Sequence, residues 1–136
     1  MRIWLDMDGT IANLYVGEWL NDIRHENTRP YENAERLVDE QILLDLQNAG
    51  HQFGIISWTA KFGTTEYNKA VRRAKVEWLK RNYPQINFEH IHIVKYGTPK
   101  YRFMMNNNDI LVDDELQNRV AWKGLAVEPF KMPFLY

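Results

Sequence analysis

Two aspartates one residue apart, Asp6 and Asp8, lead into Gly9 and Thr10 directly behind a short apolar run. Carboxylates this close bind a hard cation or divide into nucleophile and acid/base, because each charge makes the other harder to ionise and drives their pKa values apart. Gly9 permits a sharp departure of the backbone; a turn rich in Asp and Gly is the simpler reading. A second acidic pair, Asp113-Asp114, follows the apolar run Ile110-Leu111-Val112. Adjacent carboxylates at a strand exit repel unless a cation or hydrogen bonds offset the charge. The alternative is a helix start, Asp-Asp-Glu, stabilised by the helix dipole. Ser57 ends a third apolar run, Phe53-Gly54-Ile55-Ile56, and is followed by Trp58 and Thr59. A hydroxyl there, beside the loop amides of Trp58 and Thr59, suits phosphoryl oxygens, with Thr59 as the competing hydroxyl. Lys100 comes just after Thr98-Pro99, a cap and a first-turn proline, so an ammonium and a helix start together make an anion site. Lys95 is the alternative lysine.

The elements that must position these groups alternate from end to end. Residues 2–7 read as a short buried strand and 14–24 as a polar helix, with a loop over 25–31. A helix over 33–49 carries Val38, Ile42, Leu46 and Ala49 on one face, and Gly50 stops it. Residues 53–57 form a second strand. Thr64 or Thr65 caps a helix reaching Asn82, with Tyr67, Val71, Ala74 and Trp78 as its apolar stripe. Strands over 91–94, 109–112 and 125–127 follow, with a short helix after Thr98-Pro99 that ends in the Asn106–Asn108 turn. This β-α-β alternation predicts an α/β fold, a parallel sheet with helices on both faces, and a single domain over 1–136. In such a sheet ligands bind beyond the C-terminal strand ends, where all four candidate groups fall.

The 136 residues are 45% hydrophobic and 26% charged, the balance of a globular chain, with a formal net charge of -1. That charge gives no global attraction to a polyanion. The absence of cysteine excludes disulfides, thiolate nucleophiles and cysteine metal sites. The acidic start has no signal-peptide pattern and no apolar run reaches membrane-span length, so a soluble, cytoplasmic protein is expected. Lys61, Arg72, Arg73, Lys75, Lys80 and Arg81 read as the solvated face of a basic helix region, with a nucleic-acid contact as the alternative. Tyr15, Trp19, Tyr31 and Trp58 are candidates for stacking on a nucleobase, Trp58 foremost because it follows Ser57; Trp19 otherwise packs its segment onto the core. His25, His51, His90 and His92 lack metal-ligand spacing and read as surface or hydrogen-bonded histidines.

The order of these features, and the sequence DMDGT itself, resemble the haloacid-dehalogenase-like (HAD) hydrolase superfamily. The four family motifs match Asp6/Asp8, Ser57, Lys100 and Asp113/Asp114, and the likeness covers about residues 1–127. The stretch ILVDDELQNR is similar to the fourth-motif region of the 5′(3′)-deoxyribonucleotidase-like branch. The resemblance implies a HAD-like Rossmannoid three-layer sandwich with strand order 3-2-1-4-5. It also implies a minimal cap, a short insert over about 11–32, which leaves the pocket largely open. It further implies a Mg2+-dependent phosphatase. Asp6 is then the nucleophile and Asp8 the acid/base, while Ser57 and Lys100 hold the phosphoryl oxygens, with Trp58 and Thr59 beside them. Mg2+ would be held by Asp6, the Asp8 backbone carbonyl and Asp113 or Asp114. The expected substrate is a small phosphate ester, a nucleotide foremost. A phosphorylated nucleic-acid end, and a non-catalytic binding module on the same fold, are the alternatives.

Overall fold

An apolar run too short for a helix, with no polar residue on either side of its alternation, suits a strand buried on both faces of a parallel sheet. Residues 3–5 form such a run, and Ile3, Trp4 and Leu5 are fully buried. The computed structural model describes residues 1–135. The chain opens with β1 (Arg2–Leu5), β2 (Ala12–Asn13), α1 (Trp19–Arg24), α2 (Arg29–Glu32) and β3 (Glu35–Arg36). It continues through α3 (Glu40–Asn48), β4 (Gln52–Trp58), α4 (Thr65–Asn82) and β5 (Phe88–Val94). After a 3-10 turn over Lys100–Phe103 come β6 (Ile110–Val112), α5 (Leu116–Ala121) and β7 (Ala126–Val127).

Five strands form one parallel sheet in the order β5-β4-β1-β6-β7. The central β1 pairs Ile3 with Phe53 on one side and with Ile110 on the other. Consequently the exits of β1, β4 and β6 lie side by side at one edge. Side chains alternate between the two faces. Ile3 and Leu5 share a core with Phe53, Ile55 and Val112, closed by Leu43 and Leu46 of α3 and Trp78 and Leu79 of α4. Trp4 points the other way, against Ile56, Leu111 and Trp122, and its indole N–H donates to Asp109 at 2.9 Å. Gly54 lies opposite Trp4 in the ladder, and a Cβ there would collide with the indole ring.

The segment between β1 and α3 is a small subdomain. Its antiparallel ribbon, β2 with β3, carries α1 and α2 between the two strands. It is fastened to α4: Tyr67 Oη donates to the Asn27 carbonyl at 2.9 Å, and Trp78 Nε1 donates to the Ala34 carbonyl at 2.7 Å. Leu14 and Tyr31 from this segment pack with Tyr67, Val71 and Ala74 of α4 in a separate apolar cluster.

Several boundaries differ from the sequence reading. The helix expected over 33–49 begins only at Glu40, because Asp39 caps it by accepting the Gln41 amide, and Glu35–Arg36 pair as β3 instead. Val38 is buried from the bend that precedes the helix and is not part of it. The helix expected over 14–24 shortens to Trp19–Arg24, since the chain first turns through Gly17 at φ +57°. Within the expected loop, Pro30 opens the short helix α2. β5 begins at Phe88, three residues earlier than expected. The helix expected after Pro99 is the four-residue 3-10 turn. No helix among the described residues is long and apolar enough to cross a membrane.

Candidate active site

Behind β1 the chain winds tightly about one carbonyl. The amides of Thr10, Ile11 and Ala12 all donate to the Met7 oxygen, at 3.0, 3.0 and 2.9 Å. Gly9 has φ +80°, and a Cβ on it would strike the Asp114 carboxylate. The loop therefore needs glycine both for its backbone and for the approach of the second acidic pair. Thr10 Oγ1 stands 3.2 Å from Asp6 Oδ2 and 3.2 Å from Asp114 Oδ1, and accepts the Asp114 amide at 3.1 Å.

Asp6, Asp113 and Asp114 offer carboxylate oxygens that all lie within 4.8 Å of one another. Asp113 is fully buried; Asp114 reaches solvent. Burial and the charge of Asp6 push Asp113 up to about 6, against the pull of Lys100. The same two causes push Asp114 up to about 7. Asp8 is raised first by burial, a shift that the Lys75 charge opposes and the Asp6 charge reinforces.

Lys100 is the lysine at this edge; Lys95 is exposed on the surface. The Lys100 ammonium bridges Asp6 Oδ1 and Asp113 Oδ2, each at 2.8 Å. Burial works against its charge, yet Asp6 and Asp113 outweigh that and raise its pKa. The expected helix start at Lys100 is thus corrected. No regular helix begins here, and Lys100 neutralises carboxylates from the side. Asn118 of α5 donates to Asp113 at 3.0 Å, and the Glu115 amide donates to it at 2.9 Å.

Ser57 is fully buried, with its Oγ accepting from Lys75 at 2.7 Å. Thr59 lies closer to the cleft. Its backbone N–H is spent on the Val94 carbonyl at 2.8 Å. Its hydroxyl is buried, a donor left without a protein partner among the described residues. Trp58 is held by its indole N–H on the Thr98 carbonyl at 2.9 Å, with Tyr96 4.8 Å away and Lys100 5.2 Å over its ring.

Two residues escaped the sequence reading. Lys75, assigned there to a solvated face, is 1% exposed and donates to Asp8 Oδ2 at 2.7 Å. The signal was present: Lys75 stands four residues after Val71 and three before Trp78, on the buried stripe of α4. Asn118 gave no comparable sign.

Asp6, Asp8, Trp58, Thr59 and Lys100 line one cleft of about 580 Å³. Its far wall is the small subdomain, through Leu14, Tyr15, Trp19, Ile23 and Tyr31. The expectation of a largely open pocket is corrected to that extent. Tyr15 and Trp19 meet edge to face at 5.0 Å. Comparison with protein-family models and with curated proteins gives no match.

The charge balance of the site stands out. Four carboxylates, Asp6, Asp8, Asp113 and Asp114, face only two ammonium groups, Lys75 and Lys100. A set of hard oxygen donors with excess negative charge suits a small divalent cation. Such a charge would oppose the burial and the Asp6 repulsion that raise Asp113 and Asp114.

Proposed function

We propose that the protein is a phosphomonoesterase that works through an aspartyl-phosphate on Asp6. The observation that carries this reading is the pairing of the two loop carboxylates with different lysines. Asp6 is bonded to Lys100, and Asp8 to Lys75, while both line the same cleft. Neighbouring carboxylates held in different environments can take different roles. The resemblance of the motif order to the HAD superfamily supports the same assignment, as does the meeting of the β1, β4 and β6 exits.

Asp6, Asp113 and Asp114 are the side chains that would hold Mg2+, and when bound it would neutralise charge between nucleophile and phosphoryl oxygens. An Asp6 oxygen forms a bond to phosphorus as the bond to the leaving oxygen breaks, and the electron pair stays on that oxygen. The proton on Asp8 moves to it. Asp8, now a carboxylate, then takes a proton from water as the water oxygen bonds to phosphorus and Asp6 departs. Lys100 and the Thr59 hydroxyl stabilise the transferring oxygens. The aromatic wall of Trp58, Tyr96, Tyr15 and Trp19 favours a planar leaving group, and we propose a nucleotide.

The test is turnover of an aryl phosphate with Mg2+ by the wild type and Asp6→Asn. The variant should fold normally, show no turnover, and fail to trap labelled phosphate on the protein after rapid quenching. Retention of most of the wild-type rate in Asp6→Asn would remove Asp6 as nucleophile.

A further inference from the structure

Lysine rarely occupies a core position unless its ammonium is matched. Lys75 does so, in the middle of the apolar stripe of α4. Its three N–H donors meet three acceptors: Asp8 Oδ2 at 2.7 Å, Ser57 Oγ at 2.7 Å and the Trp58 carbonyl at 2.8 Å. The Tyr31 ring covers the remaining side, its centroid 5.2 Å from the nitrogen. Desolvating an ammonium is unfavourable, and an apolar side chain of similar volume would serve packing better. Stability alone therefore gives a weak reason for lysine here.

The arrangement does accomplish something geometric. Asp8 belongs to the loop after β1, Ser57 and Trp58 to the end of β4, and Lys75 to α4. One nitrogen ties all three elements together. It holds Asp8 by Oδ2 alone; among the described residues Oδ1 accepts no hydrogen bond from any side chain or amide. Asp8 also lines the cleft, so Oδ1 is the oxygen left for a ligand.

We propose that Lys75 is a positioning residue: by clamping Oδ2 of Asp8 to the end of β4, it aims Oδ1 at the leaving oxygen of a phosphate ester. This inference rests on the phosphatase reading above. In the first transfer the bond between phosphorus and the leaving oxygen breaks, its electron pair goes to that oxygen, and the Asp8 proton follows. An ester whose leaving group is already a stable anion needs no proton, whereas an alkyl ester does. The contribution of Lys75 must therefore grow with the basicity of the leaving group. A purely structural lysine would affect all esters alike.

The experiment measures kcat/KM, which reports the steps through the first transfer and not the later hydrolysis that also uses Asp8, for wild type and Lys75→Met, with Mg2+, on 2,4-dinitrophenyl phosphate and on an alkyl phosphate. For Lys75→Met the alkyl-ester kcat/KM should fall roughly 100-fold, the lower end of what general-acid catalysis contributes. The dinitrophenyl ester should lose less than about threefold. In an Asp8→Asn background the same substitution should add less than about threefold, since the two residues act as one unit. Equal losses on both esters, or full additivity with Asp8→Asn, overturn the role of Lys75 and leave the phosphatase reading intact. A wild type that turns over neither ester overturns that reading, and this inference with it. Should Lys75→Met fail to fold, Lys75→Arg gives the same comparison. Its planar fork cannot place one nitrogen on three acceptors, so the same dependence on leaving group is expected, and wild-type rates on both esters overturn the proposal.

Discussion

Lys100 Nζ stands 2.8 Å from Oδ1 of Asp6, at a depth where the lysine is 4% exposed. The same nitrogen reaches Asp113, so one ammonium holds two buried carboxylates together. Removing it leaves both uncompensated. Lys100→Met should lower stability by about 3–5 kcal/mol in urea denaturation without metal, the usual cost of breaking a buried pair from one side. Millimolar Mg2+ should recover part of that loss, because a cation can take over the neutralising role. A loss below about 1 kcal/mol, the range of exposed pairs, would show that the carboxylates reach water when the lysine is gone.

The acidic cluster also makes stability depend on pH and metal together. Asp113 and Asp114 are raised to about 6 and about 7 in the folded protein. Carboxylates whose folded pKa is raised bind protons more tightly when folded. Their contribution is therefore full below the unfolded value of about 3.9 and lost as the pH rises through about 6 to 7. Burial and the Asp6 charge lie behind that loss, and a bound divalent cation offsets both by stabilising the ionised carboxylates. Mg2+ should consequently raise the melting temperature more at pH 8 than at pH 5. An equal rise at both values, or none, would argue that the cluster does not hold the metal.

What could be read from the chain followed from where each group sits relative to a regular element. Asp6, Asp113 and Ser57 each stand next to the end of an apolar run, and such runs name strand exits whatever surrounds them. The parallel α/β sheet was legible for the same reason. The charge of Lys75 suggests the surface, whereas its spacing from Val71 and Trp78 places it in the core stripe. The helix expected over 33–49 is too long because Val38 continues the i, i+4 rhythm of Ile42 and Leu46. Asp39, extended at φ -64° and ψ 136°, ends that continuity by capping. The depth of Ser57 could not be read at all. It depends on a long-range bond to Lys75, which only the packing of α4 against β4 creates.

Substrate choice separates the two aromatic walls of the cleft. Trp19 is half-buried on the small subdomain, against Tyr15, and neither it nor Tyr15 bonds any of the charged residues of the site through its side chain. Trp58 packs over the Lys100 ammonium and is anchored to the Thr98 carbonyl. If the leaving group carries a nucleobase that stacks on Trp19, Trp19→Ala loses a contact worth roughly 1–3 kcal/mol, or about 5- to 150-fold in kcat/KM for a nucleoside monophosphate. A small alkyl phosphate, which cannot reach the wall, should change less than about twofold. Trp58→Ala should lower kcat/KM for both substrates, because it uncovers Lys100 as well as the cleft. Parallel measurements on the two esters check this directly. Equal losses from Trp19→Ala would assign that indole to packing of the subdomain, and would remove the structural reason for preferring a nucleotide.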